Sequence, residues 1–129
     1  MNLKTVRYLF LIAGLYDIAL GGLYFFLYEK LFAYFHVPPA GHPTYVQFPA
    51  LLLVLFGFMF LQIASAPVRY RAMMPYGMGL KAAFAGLAFW YEFNGGVSAM
   101  WIPMAVIDLL FLIAFVFAWL SVARMPHQG

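Results

Sequence analysis

The stretch LLLVLFGFMFL, residues 51–61, is apolar on every side, with one glycine, Gly57, and no charge. A strand of a closed barrel alternates between two faces, so a run without alternation reads as buried helix rather than barrel strand. Extended outward, it runs from Tyr45 or Pro49 to Ala66, about the 20 residues that cross a bilayer core as helix. Pro67 stops it.

Three further stretches are of the same kind. With the first they predict spans at about 7–28, 45–66, 72–93 and 97–124. The first begins after Lys4 and Arg7, as a signal peptide would, but it is longer than a secretory apolar core and shows no small-residue cleavage site, so it reads as a retained span. Pro75 falls in the first turn of the third. Asn94-Gly95-Gly96 closes that span, and Pro103 near the start of the fourth is a candidate kink. Residues 29–36, EKLFAYFH, place Leu31, Phe32 and Phe35 at helical spacing, an amphipathic extension at the interface. The expected fold is all-α: residues 1–129 form a single polytopic four-transmembrane-helix bundle.

Composition agrees. The 129 residues are 67% hydrophobic and 9% charged, and the mean hydropathy is +0.92. So few charges cannot cover a water-soluble globule of this size. The net charge of +3 forms no basic run, so no nucleic acid is expected as a partner. The expected partners are the lipid bilayer and other membrane proteins or further copies of the chain. Without cysteine there is no disulfide, thiolate nucleophile or iron–sulfur cluster.

Loop charge predicts orientation. Lys4, Arg7, Arg69, Arg71 and Arg124 fall at one end of a four-span bundle with no acid among them, and Lys30, Glu29 and Glu92 fall at the other. The positive-inside rule puts both termini of a multi-pass membrane protein in the cytoplasm. Arg69 and Arg71 read as headgroup anchors. Carriers that insert in both orientations need balanced loops, which this chain lacks.

Asp17, Lys81 and Asp108 are the ionisable residues inside spans. Counted from the ends of their spans, each lies roughly 15 Å deep at 1.5 Å per residue. A charge facing lipid there costs about 2.5–3.5 kcal/mol or more, so the three are expected to turn inward as two carboxylates around one ammonium. Gly14, Asp17 and Gly21 share one helix face, as do Gly77, Lys81, Ala85 and Ala88, and small residues permit close helix approach. Tyr16, Tyr24 and Gln62 are candidate supporting groups. Three roles fit this network: a structural clamp on helix register, a relay for protons or ions, or a polar anchor for a substrate headgroup.

No catalytic residue or metal site is expected. His36 and His42 lie in the outer loop and His127 in the tail, so no span supplies a haem ligand and no cofactor is expected. Met73, Met74 and Met78 read as gap-filling residues. The aromatics Tyr24, Tyr28, Tyr34, Tyr45, Trp90, Tyr91 and Trp101 crowd the outer level, as an interfacial belt or the wall of a lipid or quinone pocket.

Tyr16-Asp17 in the first span, Pro67-Val68-Arg69-Tyr70-Arg71 at the inner turn, Lys81 in the third span and Asp108-Leu109 in the fourth together resemble small four-span bacterial membrane proteins of the broad DoxX-like kind. One branch of those proteins is linked to a thiosulfate:quinone oxidoreductase, so the resemblance implies an accessory role beside a quinone-reactive complex. It transfers no catalytic residue. The leading functional expectation is therefore a non-catalytic accessory or assembly subunit. The alternatives are a proton-linked carrier using Asp17, Lys81 and Asp108, and a lipid- or quinone-binding membrane enzyme.

Overall fold

A computed structural model describes residues 1–96 and 98–125. Val97, where the fourth span was expected to begin, and His127 lie outside the described residues. The described chain is all-helical: α1 (Leu3–Tyr34), α2 (Thr44–Ser65), a 3-10 turn (Arg71–Met73), α3 (Met74–Phe93) and α4 (Trp101–Val122). Three of the helices, α1, α2 and α4, are long and apolar enough to cross a membrane, the mark of a multi-pass membrane protein.

Local chemistry sets the ends. The Asn2 side chain accepts a hydrogen bond from the Thr5 amide at 2.8 Å and caps α1. Helix α1 does not end at residue 28, where the first span was expected to stop: it kinks at Leu27, which is non-helical (φ −122°, ψ 15°), and continues through the amphipathic segment to Tyr34. It ends in a Schellman turn: the Val37 amide donates to Phe32 O at 2.8 Å and the His36 amide to Ala33 O at 3.3 Å. His36 takes the left-handed position at φ 57°, where glycine is usual. At the end of α3, Gly95 takes that position, and the Gly96 amide donates to Tyr91 O at 2.8 Å.

The starts of α3 and α4 also differ from expectation. Helix α3 begins at Met74, because the preceding three residues form the 3-10 turn. Helix α4 begins at Trp101. Ser98 makes a turn first, its hydroxyl accepting from the Met100 amide at 3.2 Å and its carbonyl from the Trp101 amide at 3.0 Å. Pro103 thus sits in the first turn, where its missing N–H needs no intrahelical acceptor, and it does not kink the helix. Asp108 is therefore about 10 Å from the start of α4 rather than roughly 16 Å.

Helices α1 and α2 pack antiparallel, as do α3 and α4. The first pair meets backbone to backbone: a Cβ on Gly14 would lie 2.7 Å from Gly57 O, and one on Gly21 would lie 2.5 Å from Ala50 O. Large apolar side chains face outward instead, among them Leu55, Phe58, Leu110 and Phe117. Two apolar clusters fill the interior. Phe10, Phe60 and Phe115 centre one, towards the arginine-bearing connection between α2 and α3. Tyr24, Phe32, Ala50 and Met100 centre the other, towards the opposite end.

Candidate functional site

Asp17, Lys81 and Asp108 meet between these two clusters. The Lys81 Nζ donates to Asp17 Oδ1 at 2.7 Å and to Asp108 Oδ1 at 3.0 Å. One ammonium thus ties α1, α3 and α4 together. The side chains of Lys81 and Asp17 are fully buried, and that of Asp108 is 8% exposed.

Each member sits on its helix's inward stripe. Gly14, Asp17 and Gly21 are buried on α1; Gly77, Lys81, Ala85 and Ala88 on α3; Ala105, Asp108 and Phe115 on α4. Small neighbours let the helices come close enough for short charged contacts. The ammonium also lies over three rings, with its nitrogen 5.2 Å from the Phe111 centroid, 5.5 Å from Tyr16 and 5.7 Å from Phe60. Ring faces supply partial negative charge where water does not reach. Asp17 Oδ2 is buried with no hydrogen-bond partner among the described residues, so this carboxylate is held through a single oxygen.

The supporting residues separate. Tyr16 approaches Lys81 through its ring face rather than its hydroxyl. Tyr24 is away from the charges, stacked on Trp101 with centroids 6.1 Å apart. Gln62 is exposed on α2, and its backbone carbonyl accepts the Ser65 hydroxyl at 2.6 Å, a bond within one helix. Arg71 bonds inside the chain. Its Nε donates to Trp119 O at 3.0 Å, and its guanidinium lies 4.4 Å from the Trp119 ring centroid. Arg69 lies 5.4 Å from the neighbouring Tyr70 ring and is exposed. His36 and His42 take part in no group of three potential metal ligands among the described residues.

A cleft of about 480 Å³ opens between α2 and the α3–α4 pair, with Leu20, Tyr24 and Phe32 of α1 also in its lining. Its lining descends from Ala40 and Tyr45, at the connection between α1 and α2, to Leu80 and Asp108 at the level of the ion network. Helices α2 and α3 touch near Phe60 and Gly77, and the cleft occupies the space where they separate towards the other end. Trp101 dominates one wall, with Tyr24, Phe32 and Phe84 ring centroids 6.1, 6.5 and 6.2 Å away.

Sequence reasoning missed the roles of Gly57 and Phe60. A lone glycine inside residues 51–61 was the available signal for Gly57, since glycine in an apolar helix marks close backbone approach. Nothing local marks Phe60 as a cover for Lys81.

No family model matches the chain, and no curated protein or solved structure is significantly similar to it.

Proposed function

We propose that the chain is a four-span protein of a bacterial inner membrane, with both termini cytoplasmic, and that it serves as a non-catalytic accessory or assembly subunit. The observation that carries this reading is the buried ion network. Its one ammonium is spent on two internal carboxylates, between apolar clusters above and below. Such an arrangement fixes helix register and supplies a rigid body for a partner to pack against.

The fourth span is supported by how α3 sits. Helix α3 runs along α4, a candidate span, and presents Tyr76, Leu87 and Trp90 outward. Its lower apolarity comes from groups such as Lys81, which is neutralised inside the bundle. The antiparallel order brings Lys4, Arg7, Arg69, Arg71 and Arg124 to one end, which supports a cytoplasmic assignment for that end. The DoxX-like resemblance adds a quinone-reactive complex as the setting.

A carrier is the second reading, favoured by the unequal burial of the two acids: Asp108 borders the cleft while Asp17 is sealed. Purification of the tagged chain from its native membrane in a mild maltoside detergent separates the two. The subunit reading expects other membrane proteins at fixed stoichiometry. A carrier expects the chain alone or as a homo-oligomer, and that result would overturn the subunit reading.

A further inference from the structure

We propose that the cleft between α2 and the α3–α4 pair is a binding site for a lipophilic ammonium, an amine head on an apolar body, with the head at Asp108 and the body against Trp101. The proposal goes beyond the subunit role and does not depend on it.

Charge identifies the head. The network holds two carboxylates and one ammonium, so it carries formally one negative charge in excess. A second cation compensates that excess without disturbing either contact to Lys81. Of the two acids only Asp108 borders the cleft, and it uses one oxygen, Oδ1, on Lys81. The Lys81 ammonium itself shows how this interior holds a cation, with carboxylate oxygens at 2.7 and 3.0 Å and ring faces close by. The cleft offers the same pair of features a few residues away: Asp108 at the bottom, and the rings of Tyr24, Phe84 and Trp101 in its walls.

The lining also argues against an anionic occupant. No lysine, arginine or histidine is among the described lining residues, and the Lys81 ammonium beside Asp108 is already shared between two carboxylates, so a phosphate or carboxylate head would meet net repulsion at Asp108. The body must be apolar, because the remaining wall is dominated by residues such as Leu53, Leu80 and Met104. The volume, about 480 Å³, falls within the roughly 300–1,000 Å³ of small-molecule sites.

The test uses the full chain in maltoside detergent, titrated with octylammonium, 1-octanol and octanoate and followed by calorimetry. Octylammonium is expected to bind saturably and at least about ten-fold tighter than octanol, because a charge-assisted hydrogen bond to a carboxylate is worth about that factor. Octanoate is expected not to bind. Asp108→Asn should remove the preference for the amine and leave octanol affinity within about two-fold. Leu53→Trp fills the cleft without touching the ion network and should abolish saturable binding of both probes. If Asp108→Asn does not fold, the comparison of probes on the native chain and on Leu53→Trp decides. Equal affinity for octylammonium and octanol, binding of octanoate, non-saturable uptake into micelles alone, or undiminished binding by Leu53→Trp would each overturn the proposal.

Discussion

Gly77 lies directly against the ring of Phe60, so close that a Cβ on the glycine would run into ring carbon Cε1. Phe60 cannot readily yield, since it is fully buried and packs on Phe115 at 5.1 Å and Phe10 at 6.0 Å between centroids. Gly77→Ala is therefore expected to cost about 1–3 kcal/mol through overpacking. Gly79, two residues on, has open space where its Cβ would stand. Gly79→Ala should be neutral or gain up to about 1 kcal/mol, because alanine is the better helix former. Thermal unfolding of both variants in one detergent checks the contrast. Equal behaviour would mean that the ring is not fixed over Gly77.

The same contrast recurs on α1. Gly21 faces the Ala50 carbonyl, whereas Gly22 faces open space. Backbone cannot move aside as a flexible side chain can, so Gly21→Ala should spread the α1–α2 contact and lower the unfolding temperature. Gly22→Ala should leave it unchanged or raise it. A helix pair that tolerates both substitutions would not be packed backbone to backbone.

These glycines show what a sequence can and cannot reveal. Asp17, Lys81 and Asp108 are legible because charge inside an apolar span has few low-energy options, and their small neighbours recur at helical spacing. Three of the four expected spans are legible as helices long and apolar enough to cross a membrane, α1, α2 and α4; the less apolar α3 is not one of them. The neighbour of a given face is not legible. Gly57 is visible as an odd residue in an apolar run, but its contact with Gly14 depends on the crossing of α1 and α2. The cleft depends on where α2 and α3 separate, a property of two helices far apart in sequence. Helix starts slip where local turns compete, as Ser98 does before α4.

Lys81→Met strands two carboxylates in the interior. Breaking a buried ion pair costs about 3–5 kcal/mol, so this variant should be the least stable of the single substitutions in the network. The triple variant Asp17→Asn, Lys81→Met, Asp108→Asn removes every formal charge and should recover most of the loss. The measurement is unfolding temperature in detergent. If the network is only a register clamp, the triple variant also retains its partner proteins during purification. Wild-type stability for Lys81→Met would show that the three groups are not coupled.

Arg71 and Arg69 stand two residues apart and should behave differently. Arg71 bonds to the Trp119 carbonyl in the last turn of α4, where a cation also complements the helix dipole. Arg71→Ala is expected to cost about 1–2 kcal/mol once partial exposure is allowed for. Arg71→Lys should recover only part of that, because lysine lacks the planar guanidinium that lies over the indole. Arg69→Ala should change stability by less than about 0.5 kcal/mol. Equal losses at the two positions would remove the internal role assigned to Arg71.

The number of crossings decides where the ends of the chain lie. Helices α1, α2 and α4 alone would put the two termini on opposite sides of the membrane, whereas a crossing by α3 returns the C-terminus to the side of the N-terminus. Lys81 favours the crossing, because its contacts to Asp17 and Asp108 hold α3 at the depth of α1 and α4. Separate reporter fusions at Met1, at Gly95 and after Gly129 measure this directly. The expected pattern is cytoplasmic, external and cytoplasmic, in that order, with the arginine-bearing connection on the cytoplasmic face. A C-terminal reporter active outside, together with a cytoplasmic one at Met1, would reduce the chain to three spans and place α3 out of reach of the other helices' midplane carboxylates. It would therefore be incompatible with the ion network as well as with the orientation.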